Sequence, residues 1–388
     1  MFDKILDRQA TKSLKWDRTI LKERFGDPDI LPLWVADMDF EAAPAIKAAI
    51  LKEVQINTYG YSLPGQAYYQ AIINWYKERF NWSIKKDWIL ITPGIVTGLG
   101  FILDAYLQAG DQVLIQEPVY YPFRMMIENH GLSVANNPLI REQGTYRMDF
   151  EDMEAKLKED KTKMFILCSP HNPIGQVWSQ EDLRKIVDLC KQYQVLILAD
   201  EIHHDLVYGG NHQVLANLCP DYKTGIITAT APSKTFNLAG MQMSHMIIED
   251  KDLRAQLENQ LERIHLAPPN PLAIAGVQGA YEGGQAWLED LLVYLKANID
   301  TIEDFLANHL PKAGFVPPQG TYLAWIDLSA YEKDDQALQE RLVKKGRVAL
   351  NPGIMFGQGG SGHVRLNFAC PRTTLIQALE SIRKAVAQ

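Results

Sequence analysis

The chain has 388 residues, 47% of them hydrophobic and 22% charged, with a formal net charge of -8. That length exceeds what one hydrophobic core usually supports, so one large domain with a smaller companion is expected. With acidic residues in excess, no surplus of Lys and Arg is available to neutralise phosphates; this argues against nucleic acid or an anionic membrane surface and for a small-molecule substrate.

The four cysteines, Cys168, Cys190, Cys219 and Cys370, are widely spread without a CxxC pair and read as small core residues of a reducing compartment. The start, Met1-Phe2-Asp3-Lys4, has no apolar leader, and no run approaches the roughly 18 apolar residues of a membrane span. A cytoplasmic location is the expectation.

Residues 1–40 are mixed and aromatic-rich and end in Leu33-Trp34-Val35-Ala36-Asp37-Met38-Asp39-Phe40, an acidic and aromatic cluster expected in an ordered loop. Helical spacing over Ala42–Leu51 and again over Ala67–Phe80 is split by the turn residues Thr58-Tyr59-Gly60-Tyr61-Ser62-Leu63-Pro64-Gly65. From Trp88 short apolar runs alternate with helix-length segments such as Ser179–Tyr193. The runs are Trp88–Ile91, Gln112–Gln116, Lys163–Cys168, Val195–Ala199 and Ile226–Ala229. Without polar alternation they predict a mostly parallel sheet covered by helices on both faces, an α/β fold whose ligands collect beyond the carboxyl ends of the strands. After about Gln285 a long helix (Trp287–His309) leads into strands at Tyr322–Leu328 and His363–Phe368, with helices near Gln336–Lys345 and from Thr373. This order predicts a second, smaller α+β domain. The expected division is 49–284 for the large domain, with 1–48 joining 285–388 in the small one.

Every chemically marked stretch follows one of the apolar runs. Thr92-Pro93-Gly94-Ile95-Val96 precedes a helix whose free N–H groups suit a phosphate. Tyr120 and Tyr121 in Glu117-Pro118-Val119-Tyr120-Tyr121 offer rings that stack on a planar ligand, although core or interface packing explains them equally well. In Ser169-Pro170-His171-Asn172-Pro173 the backbone is restrained, so the Asn172 amide is available to a ligand oxygen. Asp200-Glu201-Ile202-His203-His204-Asp205 sets a carboxylate at the end of a buried strand, where Asp200 needs a cationic or hydrogen-bonding partner. The adjacent imidazoles His203 and His204 point apart, which argues against a metal site. Thr230-Ala231-Pro232-Ser233-Lys234-Thr235 places Lys234 on a strand-to-loop exit, where burial lowers the ammonium pKa and yields an amine that attacks a carbonyl. In His363-Val364-Arg365-Leu366-Asn367, Arg365 stands in an apolar strand and suits bidentate capture of a carboxylate. A lysine, a carboxylate, a stacking ring, an oxygen donor, a phosphate cradle and an arginine are together what pyridoxal 5'-phosphate requires of a protein.

Nearly end to end, the chain resembles fold-type I aminotransferases of class I/II and, more closely, the MalY/PatB branch of cystathionine β-lyases, or C-S lyases. The markers are Trp34 to Phe40, Gly60-Tyr61-Ser62, Cys168 to Gly175, Asp200-Glu201-Ile202-His203, Ala231 to Asn237 and Arg365 to Cys370. The resemblance implies that Lys234 carries pyridoxal 5'-phosphate, Asp200 pairs with its ring nitrogen, Asn172 meets its phenolic oxygen and Tyr120 stacks on its face. It implies that the Ile95 and Val96 amides and Ser233 hold the phosphate, joined by Tyr61 of a neighbouring subunit in a homodimer, and that Arg365 takes the substrate α-carboxylate.

Three departures from the wider pattern matter. His203 stands where many aminotransferases have a tyrosine that bonds the phenolic oxygen. Gln242 replaces a phosphate-pairing arginine, and Ala231 a common serine. The uncharged Gln242 matches the lyase branch. The expected reaction is α,β-elimination from a sulfur amino acid such as L-cystathionine or L-cysteine, with Lys234 taking the Cα proton and Tyr121 a candidate proton donor to the leaving sulfur. An aminotransferase is the first rival reading, and a ligand-sensing regulator the second.

Overall fold

The computed structural model describes residues 1–387. Its centre is a seven-stranded sheet made of β1 (Ile89–Thr92), β2 (Gln112–Ile115), β3 (Ser133–Asn136), β4 (Thr162–Cys168), β5 (Leu196–Asp200), β6 (Ile226–Thr230) and β7 (Ser244–Ile247). The order across the sheet is β1-β7-β6-β5-β4-β2-β3, and only β7 runs antiparallel to its neighbours. β3 and β7 were not among the strands expected from apolar runs. β7 carries polar side chains that are buried but bonded, with Ser244 Oγ 2.7 Å from Thr92 Oγ1 and His245 Nε2 2.7 Å from Tyr68 Oη, so it lacks the apolar signature.

The continuous apolar character of β4 has a direct cause, since both faces of the strand are covered. Met164, Ile166 and Cys168 pack with residues of the helix Ile95–Tyr106, while Phe165 and Leu167 pack with those of Gln180–Gln192. The latter helix begins where Ser179 Oγ accepts the Asp182 N–H, and it buries Leu183, Ile186, Val187 and Cys190, a single stripe at helical spacing. Each such side chain contributes about 1.5–3 kcal/mol by leaving water.

A second sheet is antiparallel throughout, in the order β8-β9-β11-β10: β8 is Gly314–Phe315, β9 Leu323–Asp327, β10 Asn351–Pro352 and β11 His363–Asn367. The 25-residue helix Gln285–His309 and the closing helix Arg372–Val386 pack on it. The N-terminal segment joins this part of the molecule, with Leu31 paired to Val348 and Pro32 to Ala349. Ahead of the Leu33–Phe40 loop the structure adds a helix, Arg18–Phe25, for which the sequence reading had no assignment. Its start is fixed by Asp17, whose carboxylate accepts the N–H groups of Thr19 and Ile20. Among the described residues no helix is long and apolar enough to cross a membrane.

Candidate active site

Because six strands of the large sheet run the same way, their carboxyl ends share one edge, and the marked stretches meet there around a cavity of about 210 Å³. Eight expected site residues line it: Lys234, Asp200, Asn172, Tyr120, His203, Ile95, Val96 and Ser233. A larger cleft of about 580 Å³, between the hairpin 140–147 and the small sheet, contains none of them.

Lys234 follows the fully buried β6, but it sits on a single helical turn, Pro232–Thr235, and not in a loop. Pro232 supplies the fixed φ of a first helical position. The turn is pinned from behind, where Thr235 Oγ1 donates to Asp205 Oδ2 at 2.9 Å and Arg79 Nε donates to the other oxygen at 2.7 Å. Lys234 Nζ donates to the Ala36 carbonyl at 2.8 Å. Burial, and then the nearby Arg365 charge, push its pKa down to about 8, against the pull of Asp37 and Asp200.

Asp200 ends β5 beside Cys168 of β4 and is buried. Its Oδ1 accepts the Ile202 N–H at 3.1 Å. Burial raises its pKa to about 7, although that bond and the Lys234 charge oppose the rise. A carboxylate placed so gains most from a cationic ligand atom in the cavity.

At the first strand end, Gly94 adopts φ 92°, a left-handed value that glycine tolerates, and the helix Ile95–Tyr106 starts immediately after it with no side-chain cap. The first-turn amides of Ile95 and Val96 have no intrahelical acceptor and border the cavity, a suitable seat for an anion.

Arg365 is buried in β11 and bonded on both terminal nitrogens. Nη1 donates to Asn172 Oδ1 at 3.0 Å, while Nη2 donates to the Trp34 carbonyl and to Asn351 Oδ1. Nε is buried without a partner, and the guanidinium lies over the Phe356 ring at 4.9 Å. Burial lowers its pKa to about 10, so it remains a cation at neutral pH. Since Asn172 Oδ1 is committed to Arg365, its Nδ2 is the group left to donate to a ligand.

The remaining expected residues are placed differently from one another. Burial, and then the charges of Lys234 and Arg365, hold His203 well below the ordinary imidazole pKa, so it is neutral; its Nδ1 has no partner. His204 turns away and stacks on Tyr76. Tyr121 does not border the cavity; its half-buried ring packs 5.7 Å from Tyr120 and 6.2 Å from Phe356. Tyr61 is 99% exposed and lies beside Pro268 and Pro269, away from the cavity of its own chain. Gln242 borders the cavity, so no guanidinium stands at that position.

The sequence reading missed the part played by Ala36, whose contribution is a main-chain carbonyl. It also missed the buried cluster that fixes the Trp34–Phe40 loop, where Lys15 Nζ reaches Asp39 at 2.7 Å and Arg8 bonds both Asp37 and Asp39. The acidic residues of that loop were a signal; their basic partners, some twenty to thirty positions upstream, were not.

The profile of the family described as aminotransferase class I and II matches residues 28–382. Cystathionine beta-lyase PatB of Bacillus subtilis (strain 168) is 43% identical over 387 residues, covering all of both chains. Protein MalY of Escherichia coli (strain K12) is 33% identical, over 99% of this chain and 98% of its own. Among solved structures, the PLP-bound C-S lyase from Staphylococcus hominis superposes with a TM-score of 0.94 at 34% identity, over 100% of this chain and 98% of its own. The chain therefore belongs to the class I and II aminotransferase family, within the branch of the MalY/PatB C-S lyases.

Proposed function

We propose that this chain is a pyridoxal 5'-phosphate-dependent carbon-sulfur β-lyase. It eliminates across Cα and Cβ of L-cystathionine or L-cysteine-type substrates to give pyruvate, ammonia and a thiol, homocysteine or sulfide. The observation that carries this reading is one cavity holding a half-buried lysine of lowered pKa, a buried carboxylate of raised pKa and uncapped helix-start amides. That donor set fits the cofactor. When bound, pyridoxal 5'-phosphate supplies an aldehyde for amines and a pyridinium ring that draws electrons from the substrate Cα.

The roles of the residues follow from their chemistry. The Ile95 and Val96 amides and Ser233 would hold the phosphate, and with Gln242 uncharged the amides would carry most of that affinity. Asp200, facing a protonated ring nitrogen, stays ionised and keeps the proton there. Asn172 Nδ2 would donate to the phenolic oxygen, His203 would offer a neutral imidazole, and Tyr120 would supply the stacking ring. Arg365 takes the α-carboxylate. Lys234 removes the Cα proton, which requires the neutral amine, and its burial-lowered pKa favours that form. Tyr121 packs on Tyr120 outside the cavity lining, so the geometry does not support it as the proton donor to the departing sulfur.

A second copy completes the site in this reading. Tyr61 at 99% exposure, Leu63 at 79% and Ile56 at 57% belong to an apolar surface that a lone chain leaves in water. A homodimer covers it and lends Tyr61 to the partner's phosphate. The same reading divides the chain into 49–284 and a second body of 1–48 with 285–388, supported by the two sheets and the Leu31 to Val348 pairing. It places the protein in the cytoplasm, in keeping with four buried, unbridged cysteines.

The test is direct. Purified protein given L-cystathionine should release pyruvate and free thiol with no keto acid added. Turnover that appears only when a keto acid is supplied would make the chain a transaminase.

A further inference from the structure

The Ala36 carbonyl accepts two hydrogen bonds, from Lys234 Nζ at 2.8 Å and from Tyr322 Oη at 2.9 Å. Three distant parts of the chain meet on that oxygen: the N-terminal loop, the turn after β6 and the residue preceding β9. Tyr322 is fully buried, and burial first, then the charge of Asp37, raises its phenol pKa well above 10, so it keeps its proton and donates it. The peptide it grips cannot rotate freely. Arg365 Nη2 holds the Trp34 carbonyl, and Asn367 Nδ2 holds the carbonyls of Val35 and Asp37.

A carbonyl oxygen offers two lone pairs. We infer that Tyr322 is a positioning residue for Lys234: by occupying one lone pair of the Ala36 oxygen it fixes that acceptor and weakens it, which shifts the free lysine toward its neutral amine. Without Tyr322 the oxygen is a stronger acceptor and favours the ammonium, which cannot take a proton or attack an aldehyde. The inference rests on Lys234 being the reactive amine proposed above.

The charged groups facing Lys234 are Arg365, Asp37 and Asp200, with the neutral His203 and Tyr322 beside them. Tyr322→Phe alters no charge among them, so a displaced pH profile reports the hydrogen bond.

The experiment uses the cofactor-free protein mixed with pyridoxal 5'-phosphate, with the visible imine band followed by stopped flow between pH 6 and pH 10. In Tyr322→Phe the band should form about fivefold more slowly at pH 7, the effect of one ordinary hydrogen bond. The profile should move to higher pH, and the rate should approach wild type once the amine is neutral in both proteins. Fluorotyrosine placed at position 322 alone, a stronger donor, should move the profile the opposite way; it keeps the test valid if the Phe variant folds poorly. Rates and midpoints equal in wild type and the fluorotyrosine protein would overturn the role of Tyr322. A wild type that forms no imine would overturn the lyase reading itself, so the two failures are distinguishable.

Discussion

Arg365 Nη1 donates to Oδ1 of Asn172 at 3.0 Å, linking the small sheet to the loop that follows β4. The bond fixes which way the Asn172 amide faces and leaves its two N–H bonds for the cavity. It also holds the guanidinium in place, with Trp34 and Asn351 taking the other terminal nitrogen.

Arg365→Lys should therefore raise KM about 30-fold, from loss of roughly 2 kcal/mol of charge-assisted pairing, and leave kcat within a few-fold. The rise should be equal for L-cystathionine and L-cysteine, because the α-carboxylate is common to both. Steady-state kinetics on the two substrates check this. A rise confined to one of them would mean that Arg365 reads the side chain.

Asp200 supplies a pH test in the cofactor-free protein. Its folded pKa, about 7, lies above the ordinary carboxylate value, so the native state binds the extra proton. The corresponding stability is present at low pH and lost as the pH rises through about 7. Asp200→Asn keeps an acceptor for the Ile202 N–H but has no proton to lose. Compared with wild type it should gain on the order of 2 kcal/mol in stability between pH 4 and pH 8, measured by urea unfolding without cofactor. An equal difference at both pH values would show that Asp200 is already well solvated.

Tyr61 tests the proposed sharing of the site between two copies. Its side chain touches little in its own chain, so Tyr61→Ala should leave the unfolding of the isolated subunit within about 0.5 kcal/mol while weakening cofactor binding about tenfold. Mixing the Tyr61→Ala and Lys234→Ala proteins after partial unfolding should restore activity above the mean of the two. Each hybrid would carry one site with both residues intact. Absence of any recovery, with hybrids demonstrated by mass, would place Tyr61 outside the site.

Much of the active site could be read along the chain because of one feature of parallel sheets. Their strands present carboxyl ends on a common edge, so Gly94, Tyr120, Asn172, Asp200 and Lys234, each just past an apolar run, had to converge. The chemistry of each side chain, with the family resemblance, then gave its proposed task. The apolar runs revealed the five strands with both faces covered, but not β7, whose serine and histidine hide behind hydrogen bonds to Thr92 and Tyr68.

What only the tertiary structure decided was how those groups are tuned and held. The Ala36 carbonyl that receives Lys234 is main chain and carries no mark in the sequence, and Tyr322 reaches it from almost three hundred residues away. Lys15 and Asp39 find each other only because the N-terminal segment folds back over the loop. Burial, which sets the pKa values of Lys234, Asp200 and Arg365, is a property of everything packed around them. Residue type and spacing point to the candidate reacting groups; three-dimensional packing determines their protonation and their aim, because desolvation and hydrogen-bond direction act through space and not along the chain.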